Sequence, residues 1–266
     1  NAVTTGVNNV AVGLDALGAA TVVTDCIAIG KDALKACTTG ISNIGIGTGA
    51  ADALTVATDC IAIGLNALGA CTTGISNVAI GTSALLLLTV ATDCVAIGKT
   101  AGDALTTGVK NLAIGTDALG AETTGVNNIA IGFNALLVQV GGSRNVAIGV
   151  TAANAISTGN DNVAVGDDAL GGVTTGIDNV GIGTGAGNST TTGQGNVLIG
   201  KGTVASGATT DEETVIGHGV TGAAAGNVTF GDGTATITNV LDGATATWTA
   251  ASDERLESSV KSSQFT

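Results

Sequence analysis

The sequence predicts an all-β chain, a parallel β-solenoid (β-roll) of 17-residue coils, and three observations carry that prediction. The first is a five-residue phrase, seen as Asn145-Val146-Ala147-Ile148-Gly149, that keeps strict time. Its first residue falls at Asn9, Cys26, Asn43, Cys60, Asn77, Cys94, Asn111, Asn128, Asn145, Asn162, Asn179 and Asn196, with no insertion or deletion between copies. A degraded copy follows from Glu213 to Gly217. Globular cores are filled by unlike elements, whereas a solenoid must repeat because each coil stacks on an equivalent coil. The second observation is composition: 43 Gly, no Pro, Met or Tyr, three Phe and one Trp among 266 residues. A 44% hydrophobic fraction built almost wholly from Ala, Val, Ile and Leu suits thin regular layers and not the irregular interior that aromatics fill. The third is alternation of β-branched and small residues within the phrase, the mark of a short strand.

Numbering the repeat from 1 at the Asn or Cys, positions 2 and 4 are β-branched or aliphatic in every copy from Val10/Val12 to Val197/Ile199. The expectation is that these columns point into the coil. Position 3 is Ala in most copies, Gly in Gly45 and Gly181 and Leu in Leu198. Read as the opposite, outward face, it implies close approach of another backbone. Gly closes each phrase at position 5, from Gly13 to Gly217, where the chain leaves the strand and only Gly takes positive φ without steric cost. Ala-Leu follows at positions 8 and 9, as Ala16-Leu17 and Ala118-Leu119, and is expected to supply the other wall of the core. Thr-Thr-Gly, as Thr38-Thr39-Gly40 or Thr174-Thr175-Gly176, is expected to turn the chain back. Early copies alternate this with Thr24-Asp25, Thr58-Asp59 and Thr92-Asp93 before Cys, which makes a 34-residue double unit. The Asn column at position 1 is read as a hydrogen-bonded ladder between coils. At roughly 4.8 Å per coil the repeats would stack to a rod about 60 Å long.

After Gly200 the clock loosens. Lys201 to Ala225 is rich in Gly, Ala and Thr, and Asn227-Val228-Thr229-Phe230-Gly231 arrives 14 residues after the preceding copy. Thr234 to Thr238 and Ala244 to Trp248 read as two strands joined by a turn at Asp242-Gly243. The organisation expected is a repeat shaft over 1–203, a β-rich stem over 204–251 and a terminal segment over 252–266. In that segment Ser252 followed by acidic residues reads as a helix start.

Composition excludes several functions. Eight Lys plus Arg against 21 Asp plus Glu give a net charge of −13, with no basic stripe for nucleic acid. The longest apolar run, Ala84 to Leu88, is far below the roughly 20 residues of a membrane-spanning helix. Equivalent cysteines (Cys26, Cys60 and Cys94; Cys37 and Cys71) stand 34 residues apart, or about 9 to 10 Å at the usual strand spacing, beyond disulfide reach. They are read as small buried thiols, with contacts between chains left open. No Cys-x-x-Cys or neighbouring His offers a zinc site, and no calcium nonapeptide pattern occurs. The dinucleotide-like stretches at Gly45 and Gly181 lie in register with the other copies and lack a strand-to-helix context. His218 has no paired nucleophile and is read as a surface or turn residue. Neighbouring Thr-Thr residues point to opposite faces of a strand, which argues against an ice-facing array, since that would need Thr-x-Thr. Paired carboxylates for glycoside cleavage are missing from the strand positions. No cofactor is expected.

The 17-residue unit is similar to the repeats of phage tail fibres, and its core phrase resembles the head repeat of trimeric autotransporter adhesins. More specific is Trp248-Thr249-Ala250-Ala251-Ser252-Asp253-Glu254-Arg255-Leu256, which resembles the junction where the C-terminal intramolecular chaperone of endosialidases and phage tail fibres begins. The resemblance implies a homotrimer, a chaperone that guides folding, and self-cleavage after the Ser of Ser-Asp-x-Arg-Leu-Lys. Ser252 and Asp253 match that motif, while Glu257 stands where the family has Lys, so cleavage is expected to be weak or absent. The function expected is that of a structural fibre and adhesin, the distal part of a phage tail fibre bound to a host receptor such as a surface glycan. Its location would be the virion tail or an extracellular surface. The alternative is a bacterial trimeric cell-surface adhesin or extracellular filament.

Overall fold

The structure is a computed structural model that describes residues 6–240 and 247–251. Its described residues form a parallel β-solenoid with two sheets. The long sheet has 16 strands and runs the length of the described chain. It begins with β1 (Val10–Val12), β3 (Ile27–Ile29), β5 (Ile44–Ile46), β7 (Ile61–Ile63), β9 (Val78–Ile80) and β11 (Val95–Ile97). It continues through β12 (Leu112–Ile114), β13 (Ile129–Ile131), β14 (Val146–Ile148), β15 (Val163–Val165), β16 (Val180–Ile182) and β17 (Val197–Ile199). The short sheet has five strands, β2 (Val22–Thr24), β4 (Thr39–Ile41), β6 (Val56–Thr58), β8 (Thr73–Ile75) and β10 (Val90–Thr92). In both sheets each residue pairs with the one 17 further on, as Val10↔Ile27, Ile129↔Val146 and Val22↔Thr39.

The solenoid sheet carries on through β18 (Thr214–Gly217) to β19 (Asn227–Gly231), still parallel, with the step shortened to 14 as Thr214↔Val228. The chain then reverses. β20 (Thr236–Val240) and β21 (Thr247–Ala251) pair antiparallel onto that edge, Phe230 facing Ile237 and Asn239 facing Trp248. The expected turn at Asp242-Gly243 and the expected helix in 252–266 lie outside the described residues.

The core reverses one expectation. Position 3, not positions 2 and 4, faces inward: Ala28, Ala62, Ala96, Ala130 and Ala147 are fully buried, whereas Ile148 is 38% and Val12 57% exposed. The cause is the width of the coil. Leu at position 9 reaches across from the far wall and leaves room for a methyl at most. A Cβ at Gly45 would lie 2.9 Å from Leu34 Cγ, and one at Gly181 2.7 Å from Leu170 Cδ2. Where position 3 grows to Leu198, position 9 of the preceding coil shrinks to Gly187, whose Cβ would meet Leu198 Cδ1 at 2.6 Å. Sizes are matched across the core, as close packing demands. Ala is therefore small because a leucine opposes it, not because another chain does.

The corners follow expectation. Gly13, Gly30 and their equivalents take φ near 130°, and a Cβ at Gly13 would stand 2.5 Å from the carbonyl oxygen of Gly30. The column thus needs Gly twice, for its dihedral and for the closeness of the next coil. Three further left-handed residues complete a typical coil, such as Asp15 (φ 55°), Leu17 (φ 50°) and Asp25 (φ 56°). Asp and Asn tolerate this region. Leucine does not favour it, and is held there by the core its side chain fills.

Thr-Thr-Gly departs from its reading as a turn. In the first coils the second Thr opens a strand, as in Thr39–Ile41 and Thr73–Ile75, and only from Thr106 onward is the segment irregular.

Candidate interaction face

Turning the strands over places the Val and Ile columns on the outside. Position 4 runs Val12, Ile29, Ile46 and onward to Ile199, and the register carries it through Ile216 and Phe230 to Ile237. Position 2 runs beside it from Val10 to Val197, then Thr214 and Val228. No charged residue stands in either column. Val10, Val12, Ile29, Ile97, Ile182 and Phe230 are exposed, and most of the others are half-buried. The stripe follows one side of the rod and crosses the switch to antiparallel pairing without a break.

Two side-chain ladders hold this face in register. Each Asn at position 1 accepts, through Oδ1, the backbone N–H of position 1 in the next coil, at 2.9 Å from Asn128, 3.0 Å from Asn145 and Asn162, and 3.1 Å from Asn179. Its Nδ2 donates to the position 15 carbonyl of its own repeat, as Asn145 to Gly159 at 2.8 Å. Toward the C-terminal end Nδ2 also reaches the preceding Asn, as Asn179 to Asn162 Oδ1 at 3.1 Å. The Asn ladder expected from the sequence is present, but most of its rungs are side chain to backbone. Glu213 takes the next place, donating its N–H to Asn196 Oδ1 at 3.0 Å. Its carboxylate instead accepts the N–H groups of Ser206 at 2.7 Å and Ala224 at 3.1 Å, which ends the column. The second ladder, beside the short sheet, is Thr at position 13, whose hydroxyls donate to the carbonyl one coil on, as Thr55 to Thr72 at 2.9 Å and Thr174 to Thr191 at 3.1 Å.

Of the residues singled out in the sequence, Ser252, Asp253 and Glu257 lie outside the described residues. The five cysteines are free and buried within the coil, as expected. Burial pushes the Cys37 and Cys71 thiols up to about 12, and raises those of Cys60 and Cys94. Such thiols are poor nucleophiles. His218 sits on an exposed bend. Among the described residues no group of three or more His, Cys, Asp or Glu could hold a metal ion, and no helix is long and apolar enough to cross a membrane.

Sequence reasoning missed Glu122 and Gln139, both fully buried at position 12 of adjacent coils. Glu122 Oε1 accepts four backbone N–H groups, from Thr123 at 2.8 Å, Thr124 at 3.0 Å, Gly125 at 2.6 Å and Gly141 at 2.8 Å. A carboxylate at a place that holds Cys37, Leu54 or Leu105 elsewhere is a break in the repeat, and that break was the available signal. The charges outside are ordinary. Arg144 pairs with Asp161 one coil on, Nε to Oδ1 at 2.5 Å, and this contact holds the Asp161 carboxyl below its usual range.

Comparison of the chain with protein-family models, curated proteins and solved structures finds no match.

Proposed function

We propose that the chain is a structural fibre and adhesin that assembles as a homotrimer through its Val and Ile face, and that it forms the distal part of a phage tail fibre used in host attachment. One observation supports this above the others: an uncharged, β-branched stripe lies on the outside of a rod whose ladders keep it straight in register. A single coil buries only Ala, Leu and a few companions, so the Val and Ile side chains of positions 2 and 4 would find full cover only in other copies. Three rods around an axis would bury that stripe on every copy, a closed arrangement that leaves no unsatisfied patch. The antiparallel strands β19 to β21 would serve as the stem, since Phe230 and Ile237 continue the same face. The resemblance at Ser252 adds a chaperone junction, with Glu257 slowing or abolishing release. A host receptor, such as a surface glycan, is the partner in this reading, and the virion tail or another extracellular surface is the location.

Sedimentation equilibrium of the purified chain tests the assembly, with three copies expected and a monomer decisive against it. Ile148→Asp places a carboxylate in the stripe. The expected outcome is dissociation to folded single chains with unchanged circular dichroism, because desolvating that charge between copies costs several kcal/mol. Attachment is tested by binding of the labelled trimer to candidate host cells and by its competition with infection.

A further inference from the structure

The short sheet presents a second outward face, on a side of the coil apart from the Val and Ile stripe. Position 14 runs Val22, Thr39, Val56, Thr73 and Val90; position 16 runs Thr24, Ile41, Thr58, Ile75 and Thr92. Each strand therefore carries one hydroxyl and one aliphatic group, and the two kinds alternate down both columns. Val22, Ile41, Val56, Ile75 and Val90 are all exposed by 52 to 54%. Between the columns lie open troughs floored by Gly40, Ala57 and Gly74. The nearest charges, Asp25, Asp59 and Asp93, stand beyond one edge at position 17, and none stands on the face.

We propose that this face binds ice. Thr, Val and Ile all branch at Cβ and carry a methyl there, so all ten outward sites present a methyl, on a grid of about 4.8 Å between strands and roughly 6.6 Å along them. Methyl groups restrict the orientation of first-shell water without bonding to it. Hydroxyls anchor it as donors and acceptors. A regular grid of both organises water into a regular layer, and a layer of that kind can merge with a growing crystal. The grid is held firm: the position 13 threonines beside it are tied coil to coil, Thr21 to Thr38 at 2.9 Å and Thr89 to Thr106 at 3.0 Å. The spacing objection to an ice-facing array concerns positions 13 and 14, whereas the face is built from positions 14 and 16, which a strand points the same way.

A macromolecular partner fits less well. Five strands at about 4.8 Å by about 10 Å of strand give roughly 240 Å², well short of the about 800 Å² per partner of a stable protein interface. The pattern is also kept more strictly than exposed neighbours in the same coils, where position 6 passes through Leu14, Lys31, Thr48, Leu65 and Thr82.

The test offers the full chain, fluorescently labelled, to a slowly growing ice hemisphere and follows grain size in a frozen sucrose film. The expected result is dye inside the ice and suppressed recrystallisation. Thr58→Lys and Ile41→Lys, outward changes that leave the core untouched, should abolish both with circular dichroism and sedimentation unchanged. Leu65→Lys, exposed but off the sheet, should keep both. Exclusion of the unmodified chain from ice overturns the proposal, and so does retention of activity in Thr58→Lys. Pairing beyond the trimer that Thr58→Lys abolishes, without ice incorporation, assigns the face to a second copy and overturns it as well. The copy number comes from the same sedimentation run, so failure of the trimer is read separately.

Discussion

The first coils and the later ones share a period but solve the same packing problem differently. Three side chains meet at one edge of each coil, from positions 12 and 15 and from position 1 of the next phrase. In the later coils the trio is bulky-Gly-Asn throughout, as Ile156, Gly159 and Asn162. In the early coils a Cys-Gly-Asn form, as Cys37, Gly40 and Asn43, alternates with one in which Cys replaces Asn and a larger residue replaces Gly, as Leu54, Ala57 and Cys60. The reason is contact. A Cβ at Gly40 would lie 2.7 Å from Asn43 Nδ2, and one at Gly176 2.9 Å from Asn179 Nδ2, so the amide and a position 15 methyl exclude each other. In the later coils the backbones also close in, a Cβ at Gly159 falling 2.4 Å from the Gly176 carbonyl oxygen, against 3.4 Å between Gly40 and the Ala57 oxygen. The short sheet exists only where the alternation does. Asn is thus a choice between two ways of tying coils together, by side-chain amide alone or with an added backbone ladder.

Transplanting trios should break this comparison most sharply. Cys37→Leu with Gly40→Ala and Asn43→Cys copies the trio at 54, 57 and 60 into an early coil, and only the loss of the acceptor that Asn43 offers the Cys60 N–H is expected, about 1 to 3 kcal/mol from the urea midpoint. The same trio written as Ile156→Leu, Gly159→Ala and Asn162→Cys loses the matching acceptor and adds overpacking against Gly176, for about 3 kcal/mol or more in all. Equal effects in both places would refute the account.

Single losses come next. Asn162→Ala leaves the buried N–H of Asn179 without its acceptor, a cost of about 1 to 3 kcal/mol. Cys60→Ala removes only a small apolar group, and about 1 kcal/mol or less is expected from denaturant titration.

Alkali should separate the halves further. The folded Cys37 and Cys71 thiols keep their protons to about 12, while unfolded thiols release theirs near 9.0. The unfolded state binds fewer protons between those values, so this stability is intact below about pH 9 and falls as pH rises toward 12. Hydrogen exchange should show the early coils opening first at pH 10, and replacing both cysteines with Ala should remove the difference. The smallest effect expected is that of Arg144→Ala: its pair with Asp161 is fully exposed, and no shift in thermal midpoint should be measurable at physiological salt.

What the sequence made legible was everything that depends on period. The coil length, the Gly corner, the buried thiols and the Asn ladder all follow from a residue type recurring at fixed spacing under one steric or hydrogen-bonding demand. The sign of the strand was not legible. Alternation in Val146-Ala147-Ile148 says that two side chains oppose a third, and only the reach of Leu136 and its equivalents across a narrow coil says which side is in. Thr38-Thr39-Gly40 reads as a turn because its composition suits one, while the place of Thr39–Ile41 beside Val22–Thr24 and Val56–Thr58 makes it a strand. Glu122 was overlooked because its partners are backbone groups of its own turn and of the next coil, which carry no signature in residue type.

The register of 17 also bears on how such a chain changes its length by inheritance. In the later coils the strands pair each residue with the one 17 further on, so a duplicated or deleted coil between Asn111 and Asn196 restores the same strand register at the new join. Among the early coils that freedom is halved. A single duplicated Cys coil would set Cys against Cys with no amide to meet the next backbone N–H, so there the heritable unit is the pair. Recombination within the gene can therefore lengthen or shorten the rod in single steps at one end and in double steps at the other.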